Sequence, residues 1–121
     1  KPTILGVCGE KPVIGLPGNP VSALVIAALF VLPAVRRLLG AADRLWPVVS
    51  GQMTVNLPSV AGRADYLPAR LHNVNGSYQV DPFFFKSNLI FSLAAADGLL
   101  CIPADATGLS AGDPVQVLLL E

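Results

Sequence analysis

The sequence predicts two unlike pieces: a strand–turn–helix end-piece of an α/β domain, then a small all-β domain. Three observations carry this. Pro12–Leu16 is apolar without alternation and runs into a Pro-Gly-Asn turn and a long apolar helix, the pattern of a strand covered on both faces. From residue 46 onward, short strands alternate with Gly, Pro, Asn and Asp turns, the texture of a small barrel or sandwich. Finally, 53% of the 121 residues are hydrophobic and only 13% charged, against roughly 25% charged in an average soluble chain. So little charge points to a large apolar surface facing a partner, or to a piece of something bigger.

The first piece is expected over residues 1–45. Ile4–Val7 is a short apolar run, Gly9–Glu10 a turn, and Pro12–Leu16 a second strand. Asn19 suits the N-cap of the following helix, since its side-chain oxygen accepts from first-turn N–H groups. Pro20 suits the first helical position, where its missing N–H costs nothing. The helix is predicted to run from Pro20 to about Leu39, with Pro33 ending or kinking it near Leu32. Gly40 is a natural stop, and Arg36 and Arg37 complement the dipole of the last turn. Leu24, Ile26, Leu29, Phe30 and Leu32 make the helix apolar on nearly every side, so it needs cover all round. Two short strands cannot supply that, which points to a larger upstream domain.

The second piece is expected over 46–121. Gln52–Leu57 alternates polar and apolar, the mark of a half-buried strand. Ala61–Asp65 reads as a loop. Tyr66–His72 reads as a strand with Leu67, Ala69 and Leu71 on one face, and Pro68 demotes it to an edge. Asn75–Gly76 is a two-residue hairpin signal, with Ser77–Val80 pairing back. Asn88–Ala94 is a short strand or a helical turn. Gly98–Ile102 and Pro114–Leu120 are strands around a long turn at Ala104–Gly112.

Eight basic and eight acidic residues balance, and the basic ones are scattered. That argues against nucleic acid, which needs a basic face. The most membrane-like stretch, Val21–Val35, is shorter than the ~20 residues of a spanning helix and holds Pro33, so no membrane partner is expected. Cys8 and Cys101 lack any C-x-x-C companion and are expected to be reduced thiols behaving as small apolar residues, consistent with a cytoplasmic location. Lys1-Pro2-Thr3 is not a signal peptide. Lacking an initiator Met, the chain is expected to begin mid-protein.

The turn Leu16-Pro17-Gly18-Asn19-Pro20 carries the chemistry that can be read from residues alone. It places a helix N-terminus outside the carboxyl edge of a strand, where α/β folds gather anionic ligands. An ordinary capped turn is the competing reading.

The longer string Gly15-Leu16-Pro17-Gly18-Asn19-Pro20-Val21-Ser22-Ala23 resembles the molybdopterin-binding element of the MoeA/gephyrin family of molybdopterin molybdenumtransferases. Other segments resemble that family in order and spacing. They are Lys1-Pro2-Thr3, the helix proline Pro33, Gly62-Arg63-Ala64-Asp65-Tyr66, Lys86-Ser87-Asn88 with Phe91-Ser92, Ala96-Asp97-Gly98-Leu99, and Gly108-Leu109-Ser110-Ala111-Gly112-Asp113. The resemblance implies that residues 1–45 end a MogA-like molybdopterin-binding domain and that 46–121 form a C-terminal β-barrel like the family's domain IV. It implies an enzyme that inserts molybdenum from molybdate into adenylylated molybdopterin, releasing AMP with the help of Mg2+. It also implies a homodimer, with the upstream domains of the same protein as partners.

The resemblance further implies substrate-binding positions. Lys1 would be a cation for molybdate or a phosphate; Pro17 and Pro20 would shape the turn; Gly18 and Asn19 would present donors. Ser22 would donate to a phosphate or merely cap the helix. Arg63 would reach from the barrel toward a partner subunit's cleft, or only pair with Asp65. Ser87 would line that cleft or cap a turn. His72, the only histidine, is expected to be a plain surface residue. No catalytic or metal-binding set is expected in this chain, because Asp43, Asp65, Asp81, Asp97, Asp105 and Asp113 are scattered among turns. A contrasting reading is a non-catalytic scaffold module of gephyrin type.

Overall fold

The computed structural model describes residues 3–42, 46–83 and 94–120, which fall into two compact units, 3–42 and the remainder. The first unit begins with a hairpin of β1 (Ile4–Cys8) and β2 (Lys11–Gly15), antiparallel from Ile4 opposite Gly15 to Cys8 opposite Lys11. Gly9, at φ 62, opens its two-residue turn, a conformation a side chain would resist. The strands pair with each other instead of entering a larger sheet. β1 is exposed along its length, and so is the first half of β2. The expected doubly covered strand is therefore not seen in this chain, and an α/β end-piece is matched only loosely, through the helix.

That helix does not stop at the proline. α1 (Pro20–Ile26) passes through a π-helical stretch, Ala27–Val31, into α2 (Leu32–Leu38). The Leu32 N–H reaches back five residues to the Ala27 carbonyl. Widening the turn just before Pro33 relieves the conflict between its ring and the carbonyl four residues earlier. With Pro33 absorbed, Pro20–Leu38 is a 19-residue helix that is long and apolar enough, by length and composition, to cross a membrane, which corrects the shorter span expected from the sequence. The expected stop holds. Gly40, at φ 77, and Ala41 donate to the carbonyls of Arg37 and Arg36, a Schellman cap. Val21 and Val25 are buried, while Phe30, Leu32, Val35, Leu38 and Leu39 are exposed.

The second unit is a closed five-stranded barrel. Its strands are β3 (Val48–Met53), β5 (Asp65–Val74), β6 (Ser77–Pro82), β7 (Gly98–Ile102) and β9 (Pro114–Leu119), in the order β3-β6-β5-β7-β9. Two-residue β4 (Leu57–Pro58) and β8 (Gly108–Leu109) pair beside it. Inward positions follow the strand period of two and meet in one core of Met53, Leu57, Ala69, Val80, Leu100, Ile102, Val115 and Val117. Asn75 and Gly76, at φ 52 and 82, make the expected hairpin between β5 and β6.

Two strand readings are corrected. The strand expected over Gln52–Leu57 lies upstream, because the chain bends at Thr54–Asn56 after Met53 enters the core. And β5 is not an edge, since it pairs with both β6 and β7. Pro68 is tolerated there for a geometric reason. Its carbonyl accepts the Phe83 N–H at 3.0 Å, so its nitrogen faces the same side, just beyond the last residue of β6, Pro82, where the ladder has ended. Most of the segment expected over Asn88–Ala94 lies outside the described residues.

Closure brings backbones into contact. A Cβ on Gly98 would stand 2.3 Å from the Leu118 carbonyl oxygen and 2.7 Å from a Val117 methyl carbon. Asp97, one residue earlier, ties the end of the barrel together. Its N–H donates to the Ala69 carbonyl at 2.9 Å, its carboxylate accepts the Leu71 N–H at 2.8 Å, and its carbonyl accepts the Leu120 N–H at 3.3 Å. Gly98→Ala is expected to destabilise the barrel by roughly 1–3 kcal/mol through overpacking. The measurement is the urea midpoint followed through Trp46, the single tryptophan; an unchanged midpoint would contradict the close approach.

Candidate functional site

The turn leading into α1 is built around its cap. Pro17 is buried and Gly18 is exposed. Asn19 is extended, at φ −72 and ψ 125, and its side chain folds over the helix start. Its Oδ1 accepts the Val21 N–H at 3.0 Å and the Ser22 N–H at 3.3 Å. Its backbone carbonyl accepts the Ala23 N–H at 2.9 Å, and Pro20 has no N–H to offer. The donors an anion would seek at this helix start are thus already met by Asn19, so the cap reading of the turn is realised. Gly18 is different. It avoids positive φ, and among the described residues no atom beyond its chain neighbours lies within 4 Å of where its Cβ would stand. None of the described residues requires glycine there or covers that side of its backbone.

Five of the expected binding residues, Pro17, Gly18, Asn19, Pro20 and Ser22, therefore share one turn. Lys1 and Ser87 lie outside the described residues. Arg63 belongs to the barrel unit, in the loop before β5. Its side chain is 75% exposed and its guanidinium lies 3.6 Å from the Asp65 carboxylate, which also accepts the Ser59 hydroxyl at 2.6 Å. An exposed pair of that kind contributes little to stability. His72 lies on the outer face of β5 with its Nε2 3.0 Å from Asp81. Among the described residues, no group of three or more His, Cys, Asp or Glu is placed to hold a metal ion.

Two shallow grooves in the barrel unit escaped the sequence reading. One is lined by Pro47, Leu71, Tyr78, Asp97, Leu119 and Leu120. The other lies among Ser50, Cys101, Pro103, Pro114 and Gln116. Beside the second, the registers set Tyr66, Cys101, Gln116 and Ser50 in a row across four strands. Both cysteines are free thiols, but Cys8 is exposed on the hairpin and Cys101 is half-buried, so only the latter fits the expected packing role. Tyr66 faces Cys101. Burial, first, and then the charge and hydrogen bond of Cys101 hold the Tyr66 phenol above its ordinary value of 10.0.

A small closed barrel preceded by a capped strand-to-helix turn defines the class of protein. Residues 50–120 match the MoeA C-terminal region (domain IV), and the chain belongs to that family. It is 36% identical over 117 residues to a Mycobacterium tuberculosis protein named molybdopterin molybdenumtransferase 2, covering 96% of this chain and 28% of the relative. A Nostoc molybdopterin molybdenumtransferase is 36% identical over 110 residues, covering 88% of this chain. Among solved structures, it is similar to a molybdopterin biosynthesis MoeA protein from Pyrococcus horikoshii. The TM-score is 0.77 at 34% identity, covering 98% of this chain and 29% of that one. A Pyrococcus furiosus molybdenum cofactor biosynthesis protein gives a TM-score of 0.72 at 30% identity, covering 96% and 40%. The chain spans between a quarter and a third of the length of the curated relatives it matches.

Two outcomes are expected. Asn19→Ala removes a side-chain acceptor shared by two N–H groups and should lower stability by about 1 kcal/mol in denaturation followed by circular dichroism, whereas Asn19→Asp should not. Tyr66 holds its proton more tightly folded than unfolded. Its contribution to stability is therefore present below pH 10.0 and lost as the pH climbs through the raised folded value. In a Tyr78→Phe background, phenolate absorbance should report a Tyr66 midpoint above 10.0. Adding Cys101→Ala should lower that midpoint, and no response to it would refute the pairing.

Proposed function

We propose that this chain is part of an enzyme of molybdenum cofactor biosynthesis that inserts molybdenum from molybdate into adenylylated molybdopterin and releases AMP. The observation that carries the proposal is the capped turn Pro17–Ser22 with its open Gly18 backbone, in a chain whose relatives are named molybdopterin molybdenumtransferases. On this reading residues 1–45 are the end of a MogA-like molybdopterin-binding domain. Gly18 lets the phosphorylated pterin approach the backbone, and Pro17 and Pro20 fix the turn. Asn19 holds the helix start in place, with Ser22 beside it. Lys1, Arg63 and Ser87 complete the cleft, Arg63 and Ser87 from a partner subunit.

Magnesium, the metal the family implies, finds no fitting donor set among the described residues, so no step is derived through it. The exposed apolar faces of the hairpin and the helix are read as covered by upstream domains of the same protein and by a second copy, in the cytoplasm. Protein is favoured over lipid as that cover. The hairpin exposes apolar side chains as well, and a two-stranded sheet with open edges has no place in hydrocarbon. The balanced charge likewise speaks against nucleic acid.

The test uses the intact protein with adenylylated molybdopterin and molybdate. Release of AMP should depend on molybdate. Asn19→Asp keeps the cap but sets a carboxylate near the phosphates, and should raise KM roughly ten- to hundredfold through like-charge repulsion. Gly18→Ala should impair turnover while leaving the melting curve unchanged. AMP release independent of molybdate would sink the proposal, and tight binding without turnover would favour the scaffold reading.

A further inference from the structure

The barrel's five seams are not alike. Four are antiparallel ladders of five, six, five and four facing pairs: β3–β9, β5–β6, β5–β7 and β7–β9. The fifth, β3–β6, is parallel and has two, Gln52 opposite Gln79 and Met53 opposite Val80. Parallel pairing is also slightly weaker per residue. β3 reaches β6 closely across Gly51, which brings no side chain of its own to the seam. A Cβ at that position would stand 2.8 Å from a Val80 methyl carbon and 3.0 Å from the Tyr78 carbonyl oxygen.

What supplements this seam is a side-chain network. The Thr54 N–H donates to the Val80 carbonyl at 3.2 Å, and the Thr54 hydroxyl lies within reach of both that carbonyl, at 3.2 Å, and the Asp81 carboxylate. The other oxygen of Asp81 meets His72 Nε2 at 3.0 Å. Asp81, on β6, thus links the residue that follows β3 to a residue on β5. On its far side β3 is held independently by its ladder to β9. The Met53 N–H also donates to the Asp113 carbonyl at 3.0 Å, and the Gly112 N–H to the Met53 carbonyl at 2.7 Å.

We infer that the barrel opens along the β3–β6 seam before any other ladder gives way, and that Thr54, Asp81 and His72 form the latch that keeps it shut. Opening leaves β3 attached to β9 and frees the backbone edges at Gln52–Thr54 and Gln79–Asp81. It is a local fluctuation of the folded chain, of the kind that sets native-state hydrogen exchange.

The test is site-resolved hydrogen exchange on the chain as it stands. The Thr54 amide should exchange faster than the amides of the β5–β7 ladder. Thr54→Val and Asp81→Ala should each speed Thr54 exchange by about two- to tenfold, the effect of losing one ordinary hydrogen bond, while the β5–β7 amides keep their rates. Thr54→Ser, which retains the hydroxyl, should change neither. Equal protection of the seam and the β5–β7 ladder in the unaltered chain would overturn the inference, whether or not the variants fold. Acceleration of every ladder together in the variants would overturn it as well, since the seam would then open only with global unfolding.

Discussion

Closing a sheet of only five strands leaves a very narrow interior, and the barrel unit is organised around that constraint. The core is filled by Val80, Val117, Leu100 and Ile102, with Ala69 where less room remains. At one end even a methyl group is too much, and the backbone of Gly98 lies directly against that of Leu118. Asp97 is fixed by the same geometry. It sits where β7 leaves the loop and must satisfy the exposed ends of β5 and β9, which it does with its N–H, its carbonyl and its carboxylate. Asp113 performs a similar service at the start of β9. Its carboxylate accepts the Ser110 N–H at 2.8 Å and its carbonyl accepts from Met53.

Among the described residues, the segments that carry the family resemblance in the second half build the fold. Ala96-Asp97-Gly98-Leu99 and Gly108–Asp113 are the closing hardware of the barrel, and each polar residue in them has a structural partner within the chain. Asp65 likewise joins Ser59 and Arg63 across the loop before β5. A polar residue already engaged in closing a barrel offers little evidence of chemistry. The Arg63 side chain, by contrast, is left largely to solvent.

What the sequence did not reveal has identifiable causes. Pro68 forbids a donor on one side of its strand, but only the register shows that this side faces the end of β6. Pro33 forbids an ordinary helical turn, yet one π-turn just before it absorbs the clash and lets the helix continue. The strand expected at Gln52–Leu57 alternates correctly, but alternation cannot tell a strand from a bent segment that sends Met53 and Leu57 into one core. Local signals fared better where a single conformation is required: Asn75–Gly76 at the hairpin, Gly40 after the helix, Asn19 before it. The two grooves were not legible at all, because each is assembled from strands far apart in the chain.

The turn at Pro17–Ser22 shows how far its physics can be taken. Asn19 satisfies the helix start, so the residual attraction for an anion is the helix dipole, worth at most ~1–2 kcal/mol. The described basic residues of this unit are badly placed to add to it. Lys11 stands at the far end of β2, about 13 Å of strand away, and Arg36 and Arg37 cap the opposite end of a helix that is roughly 28 Å long. The turn is therefore a neutral, capped structure: in the proposed function it would let a ligand approach at Gly18 without itself supplying the charge that binds a phosphate. In the proposed enzyme that charge would come from elsewhere, such as Lys1 or the Arg63 of a partner subunit. The division of labour is physically sensible, since a turn whose geometry is fixed by its own cap stays in place whether or not the anion is bound.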